Sequence, residues 1–232
     1  MTSSTISLPS ADGGTFSGYL SLPPTGSGPG IVLIQEIFGV NRHIRAVADQ
    51  YALDGYVVLA PDLFWRQSPQ TQLGYTESDF GTALGMLQKL DFAQAVSDLT
   101  QTVQTLRARA ECIGPIASLG FCMGGLLSYL CAASAGVDAA VCYYPGSIEK
   151  HLDKAGQVTC PLLIHFAEND HYIPADAVAA VKHAFANAER VTVNVYPGVD
   201  HGFNCWERPA YHQKTSSFAH GTSLAFLAST SA

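Results

Sequence analysis

The sequence predicts an α/β fold: a doubly wound, mostly parallel sheet with helices on both faces. Three observations predict it. Continuous apolar runs of strand length recur along the chain, as strands covered on both faces require. Segments of helical period lie between them, and strands alternating with helices build parallel sheets. No internal repeat, low-complexity tract or Pro/Gly/Ser-rich linker interrupts the pattern, so residues 1–232 read as a single domain.

The elements follow in order. TFSGYLSLP (15–23) alternates as a half-exposed strand should and stops at Pro23-Pro24. GIVLIQ (30–35) is apolar up to its last residue, the pattern of a buried strand. Ile44, Val47, Ala48 and Tyr51 recur at i, i+3, i+4 and i+7, predicting an amphipathic helix closed near Gly55. YVVLAPDL (56–63) is the next buried strand. After a polar stretch (66–78), one long helix is expected from about Glu77 to Arg109, with Gly81 and Gly85 weakening its first turns. PIASL (115–119), AAVCYY (139–144), PLLIHF (161–166) and VTVNVY (191–196) complete the strands, and a helix opens near Pro174.

Composition excludes several classes of function. Hydrophobic residues make up 47% of the chain, enough for a sizeable core. The net charge of −7 argues against binding a phosphate backbone, which needs clustered Lys and Arg. The N-terminus has neither the basic nor the apolar region of a signal peptide, and no apolar run approaches the roughly 18 residues of a membrane span. The six cysteines lie scattered through apolar runs with no C-x-x-C pair, a poor disulfide framework and a poor zinc site. No His/Asp/Glu set has metal-ligand spacing. The expectation is a soluble cytoplasmic protein, monomer or homodimer, without metal or cofactor and without nucleic-acid or membrane partners.

GFCMGG (120–125) joins an apolar strand to the helical run LLSYLCAA. A cysteine on a sharp strand-to-helix turn, with glycines letting strand and helix pass closely, is a placed nucleophile. It projects at the C-terminal edge of the sheet, where ligands bind in open α/β folds. The helix N-terminus aims its N–H groups at the sulfur and favours thiolate. Taken alone, Cys122 reads equally well as a buried core cysteine.

A nucleophile needs a base, and a base needs an orienter. Asp170 follows the strand in HFAEND, and His201 follows the last strand in VYPGVDHGF. Singly, Asp170 reads as a helix cap and His201 as a loop histidine. Jointly, the order nucleophile, acid, histidine at three strand ends is that of α/β-hydrolases. His165, inside a strand, reads as a hydrogen-bonded core residue, and His171 as a solvated turn. QEIFGVN (35–41) follows the first buried strand, where this fold supplies a second oxyanion N–H. That assigns the backbone N–H groups of Ile37 and Met123. Glu36, at the sheet edge, reads either as a titratable partner of the thiol or as a salt-bridged or capping residue.

With these residues in hand, the chain resembles the dienelactone hydrolase (carboxymethylenebutenolidase) family over almost its whole length. The resemblance also runs through PDLFWR (61–66), YYPGSIEKHL (143–152), ENDHYIP (168–174) and VDHGFNCWERPAY (199–211). It implies an α/β-hydrolase fold, a triad of Cys122, Asp170 and His201, and a Glu36 that assists thiol activation. It also implies a small-molecule ester or lactone substrate, with Phe38, Tyr144, Phe203 and Arg208 as substrate-binding positions and Tyr143 and Tyr144 as paired tyrosines behind the site. The family's two carboxylate-clamping arginines have no direct counterpart: residues 67–88 contain no Arg or Lys, and Arg208 is displaced along the chain. The expected chemistry is hydrolysis of an enol ester or lactone through an acyl-cysteine. The alternatives are a general carboxylesterase or thioesterase for a neutral acyl group, and a redox-responsive binder on the same scaffold.

Overall fold

A computed structural model describes residues 1–230. The strands are β1 (Thr2–Pro9), β2 (Thr15–Leu22), β3 (Gly28–Ile34), β4 (Val57–Pro61), β5 (Cys112–Phe121), β6 (Ala139–Tyr143), β7 (Leu162–Ala167) and β8 (Val191–Tyr196). The helices are α1 (Arg42–Leu53), α2 (Glu77–Gln88), α3 (Phe92–Arg107), α4 (Met123–Ser134), α5 (Ala175–Ala184) and α6 (Gln213–Ser229), with a 3₁₀ segment over Ile148–Gln157. The strands form one sheet in the order β1-β2-β4-β3-β5-β6-β7-β8. The β1–β2 and β2–β4 pairs are antiparallel, and every pair from β4 through β8 is parallel.

The apolar runs became the central strands because helices cover both their faces. Ile31, Val32, Leu33 and Ile34 of β3 are all fully buried, as are Val57 to Ala60 of β4. On one face α1 and α6 lie side by side, the Tyr51 ring 4.7 Å from that of His220 and His220 bonded to Asp54 at 3.0 Å. On the other face α3 packs against α4, which follows β5 directly. No described helix is long and apolar enough to cross a membrane.

Three elements differ from the sequence reading. The first is β1, which the sequence reading left unassigned: Thr2–Pro9 is a polar edge strand, largely exposed, without the apolar pattern that marks a buried strand. The second is the helix expected from Glu77 to Arg109, which is two helices. Asp91 ends the run by capping α3, its carboxylate accepting from the N–H groups of Ala93 (2.9 Å) and Gln94 (3.1 Å). The α2 helix starts on its own capping box between Thr76 and Asp79. The third is α6, whose sequence QKTSSFAHGTSLAFLAS has too weak a periodicity to be assigned from pattern.

Candidate active site

The C-terminal ends of β3, β5, β7 and β8 bring together the residues expected to carry chemistry. Cys122 stands between β5 and α4 with φ 57°, ψ −117°, a left-handed conformation that side chains rarely adopt. Its backbone N–H donates to the Tyr143 carbonyl at 3.0 Å, which fixes the turn against β6. A side chain at Gly120 would land on the Gly124 carbonyl, and one at Gly124 on the Ile34 carbonyl. The glycines of GFCMGG are thus where strand and helix touch backbone to backbone. The cysteine is partly exposed, unlike Cys131, Cys142 and Cys205, which are buried.

Asp170 holds two positions at once. Its Oδ1 accepts from the N–H groups of Tyr172 (2.9 Å) and Ile173 (3.1 Å), the turn-capping role, while Oδ2 accepts from His201 Nδ1 at 2.8 Å. Asp200, adjacent in sequence to His201, instead binds His171 Nδ1 at 2.8 Å near the surface. His201 is 2% exposed, and its Nε2 is buried without a hydrogen-bond partner. Burial by itself would keep this imidazole neutral. The facing charge of Cys122 and the bond to Asp170 outweigh it and lift the pKa to about 10.

Glu36 is buried to 1% exposure. Arg208 Nη1 approaches its Oε1 at 3.4 Å, and the Tyr75 hydroxyl donates to its Oε2 at 3.2 Å. Glu36 is thus a salt-bridged acid at the sheet edge, lining the same cavity as Cys122. Arg208, although displaced along the chain, folds back onto it. The polar stretch 66–78 is tied to the loop after β3: Leu73 N–H donates to the Phe38 carbonyl (2.9 Å), and Asn41 Nδ2 to the Leu73 carbonyl (3.0 Å).

A cavity of about 270 Å³ opens on these groups. Cys122, His201, Glu36, Ile37, Met123, Phe38 and Arg208 all line it. Tyr144 and Phe203, expected among the substrate-binding positions, do not. Phe203 is fully buried within an aromatic layer, its ring 5.4 Å from that of Tyr144 and 5.4 Å from that of Tyr196. Tyr144 backs His201 at 4.8 Å, and its buried hydroxyl has no partner. Burial and the charge of Glu36 push that phenol well above its ordinary pKa, so it remains a neutral donor. Tyr143, the other tyrosine expected behind the site, is fully buried and bonds Ser223 at 2.8 Å.

His165 is the bonded core residue expected of it, held by Tyr196 (2.8 Å) and Ser223 (3.0 Å). His171 lies in an exposed turn. Sequence reasoning did not find Tyr75, Tyr172 or the apolar wall from α2. The i, i+4, i+7 stripe of Phe80, Leu84 and Leu87 was the available signal. Nor did spacing along the chain bring together Glu36, His43 and Cys205, whose ligand atoms lie within 4.8 Å of one another. Arg208 and Tyr75 already engage both Glu36 oxygens, so the carboxylate's charge is met by side chains.

The family model described as the dienelactone hydrolase family matches residues 16–231. A carboxymethylenebutenolidase from Pseudomonas putida is 34% identical, with 96% of this chain and 95% of that protein aligned. Carboxymethylenebutenolidase 1 of Cupriavidus pinatubonensis is 31% identical over 98% of this chain and 97% of its own. A crystal structure from Klebsiella pneumoniae, provisionally named a dienelactone hydrolase, superposes with a TM-score of 0.86 at 30% identity, covering 98% of each chain. The sheet order, the elbow at Cys122 and these likenesses agree: the fold is that of the α/β-hydrolases, and the chain belongs to the dienelactone hydrolase family.

Proposed function

We propose that the chain hydrolyses an enol ester or lactone through a Cys122–His201–Asp170 triad and an acyl-cysteine intermediate. That it is a dienelactone hydrolase-like carboxylic ester hydrolase follows from its family and relatives. The residue roles are this reading's own. The observation that carries them is a buried imidazole held by Asp170 at 2.8 Å, with its other nitrogen unpartnered beside a cysteine on a strained elbow.

The Cys122 sulfur attacks the ester carbonyl as thiolate, with its proton held on His201. Glu36, which lines the same cavity, is assigned the role of assisting that ionisation. The carbonyl π-pair moves onto oxygen, and the N–H groups of Ile37 and Met123 receive it as the oxyanion. Collapse breaks the C–O bond, and the enolate departs, collecting a proton from His201. Neutral His201, oriented by Asp170, then takes a proton from water, which attacks the thioester. The acid leaves and the thiol is restored. Thiolate is a good leaving group, so an alkoxide loses the competition to leave, whereas an enolate does not. A cysteine therefore suits enol esters and lactones better than alkyl esters.

The test compares a dienelactone, a neutral enol ester and an alkyl ester with the wild type, Cys122→Ala and Cys122→Ser, with intact mass to detect the acyl adduct. Turnover lost in Cys122→Ala, with an adduct of acyl mass in the wild type, supports the reading. Cys122→Ser is expected to narrow the preference for enol over alkyl leaving groups. Unchanged rate ratios would remove the leaving-group argument, and wild-type rates in Cys122→Ala would remove the triad.

A further inference from the structure

We propose that the cavity beside Cys122 selects esters whose bound part is uncharged, apolar and about the size of one substituted ring, and that Phe80, Leu84 and Leu87 of α2 do the selecting. The inference takes its chemistry from the triad reading above and adds the substrate class.

The first argument is packing. The apolar stripe of a surface helix ordinarily faces the core. In α2, Ala83 is the one buried residue, Leu84 is 37% exposed, and Phe80 and Leu87 are half-buried. The stripe Phe80, Leu84, Leu87 also lines the cavity, with Phe80 and Leu87 packed between it and the core, and Phe92 at the start of α3 and Leu126 of α4 join it. Together these residues form the apolar wall of the cavity. Cys122 and His201 line the same space, so the occupant that completes the packing is the ester under attack. At about 270 Å³ the space lies just below the roughly 300–1,000 Å³ of common small-molecule sites, which fits a single ring better than a long chain.

The second argument is charge. Besides the triad, the described cavity wall carries two ionic side chains, Glu36 and Arg208, and they lie 3.4 Å apart. Each neutralises the other, so no unpaired cation awaits a carboxylate. An anion entering this apolar wall would leave water without a partner, a cost that a neutral group of equal size does not meet. The remaining polar side chains there, Ser147 and Tyr172, are uncharged.

The experiment uses the full chain and two matched enol esters, vinyl phenylacetate and its para-carboxylate counterpart. We expect kcat/KM to favour the neutral ester by at least about tenfold, as desolvation of an unpaired charge implies. Leu84→Arg puts a cation on the half-exposed stripe. It should narrow that ratio several-fold, chiefly by lowering KM for the anionic ester. Equal wild-type turnover of the two esters, or a ratio that Leu84→Arg leaves unmoved, overturns the inference. Calorimetry on Cys122→Ala with the two corresponding unreactive amides reads the cavity without catalysis and without Leu84→Arg. Amides bound equally well would sink the cavity inference and leave the triad standing. Discrimination between amides, together with ester turnover that survives Cys122→Ala, would sink the triad and leave the cavity inference standing.

Discussion

Gly125→Ala is the substitution in which the elbow's geometry becomes a measurable energy. Gly125 lies in the first turn of α4, where helix propensity alone favours alanine by about 0.5–1 kcal/mol. The structure opposes that gain. A Cβ there would stand 2.6 Å from the Tyr143 carbonyl oxygen, 3.2 Å from Pro145 Cα and 3.3 Å from Pro145 Cβ. The obstacles are mainly backbone, so no side chain can swing away to make room. The Tyr143 carbonyl is also the acceptor of the Cys122 N–H, so displacing it disturbs the turn that carries Cys122. Overpacking of this kind costs about 1–3 kcal/mol, leaving a net destabilisation of up to about 2.5 kcal/mol after the propensity gain. For a chain of this size that corresponds to a fall in Tm of up to about 10 °C. Gly81→Ala is the control: it lies inside α2 with nothing within 4 Å of its would-be Cβ, and should stabilise by about 0.5–1 kcal/mol. Urea unfolding of both variants, with ester hydrolysis measured alongside, makes the comparison. If Gly125→Ala gains stability as Gly81→Ala does, the backbone contact does not explain the glycine.

Two further outcomes follow from buried polar groups. His165 is fully buried, and burial holds its pKa at about 3 against an ordinary 6.5. The unfolded chain takes up a proton below 6.5 that the folded chain refuses, so this contribution is intact above 6.5 and is lost as pH falls toward 3. The loss approaches about 1.4 kcal/mol per pH unit, or about 2 kcal/mol by pH 5. His165→Gln should therefore show a smaller fall in urea midpoint between pH 7 and pH 5 than the wild type, and parallel falls would refute the assignment. Asp98 is 1% exposed and accepts from Ser10 Oγ (2.8 Å), Trp65 Nε1 (2.9 Å) and the Arg66 guanidinium. Asp98→Ala should cost about 2–4 kcal/mol in urea unfolding, because it strips three donors of their acceptor while Arg66 keeps Asp12. A change below 0.5 kcal/mol, on the order of an ordinary surface substitution, would refute it.

The order β-strand, elbow, helix at 115–133 was legible because it is local. An apolar run, a cysteine among glycines and a second apolar run each constrain their own few residues. Asp170 and His201 were legible for a related reason. In a parallel sheet the loop after every strand opens on the same edge, so strand assignment alone places them together. The splitting of the long helix at Asp91 was also written locally, in a cap that competes with the periodicity on either side. The polar strand β1 was not legible, since an exposed edge strand needs no apolar face.

By itself, then, the sequence determined the alternation of strands and helices, the elbow and the order in which Cys122, Asp170 and His201 follow their strands, all properties of short segments or of chain direction. Only the tertiary structure decided which groups surround the thiol. It brought Arg208 onto Glu36 across 172 residues, set Tyr75 on the other carboxylate oxygen and placed the stripe of α2 along the cavity wall. It also withdrew Phe203 from the cavity wall into the aromatic layer behind His201. Such contacts depend on the distance and angle at which loops meet across the sheet edge. No local pattern encodes these, because packing against distant parts of the chain fixes them.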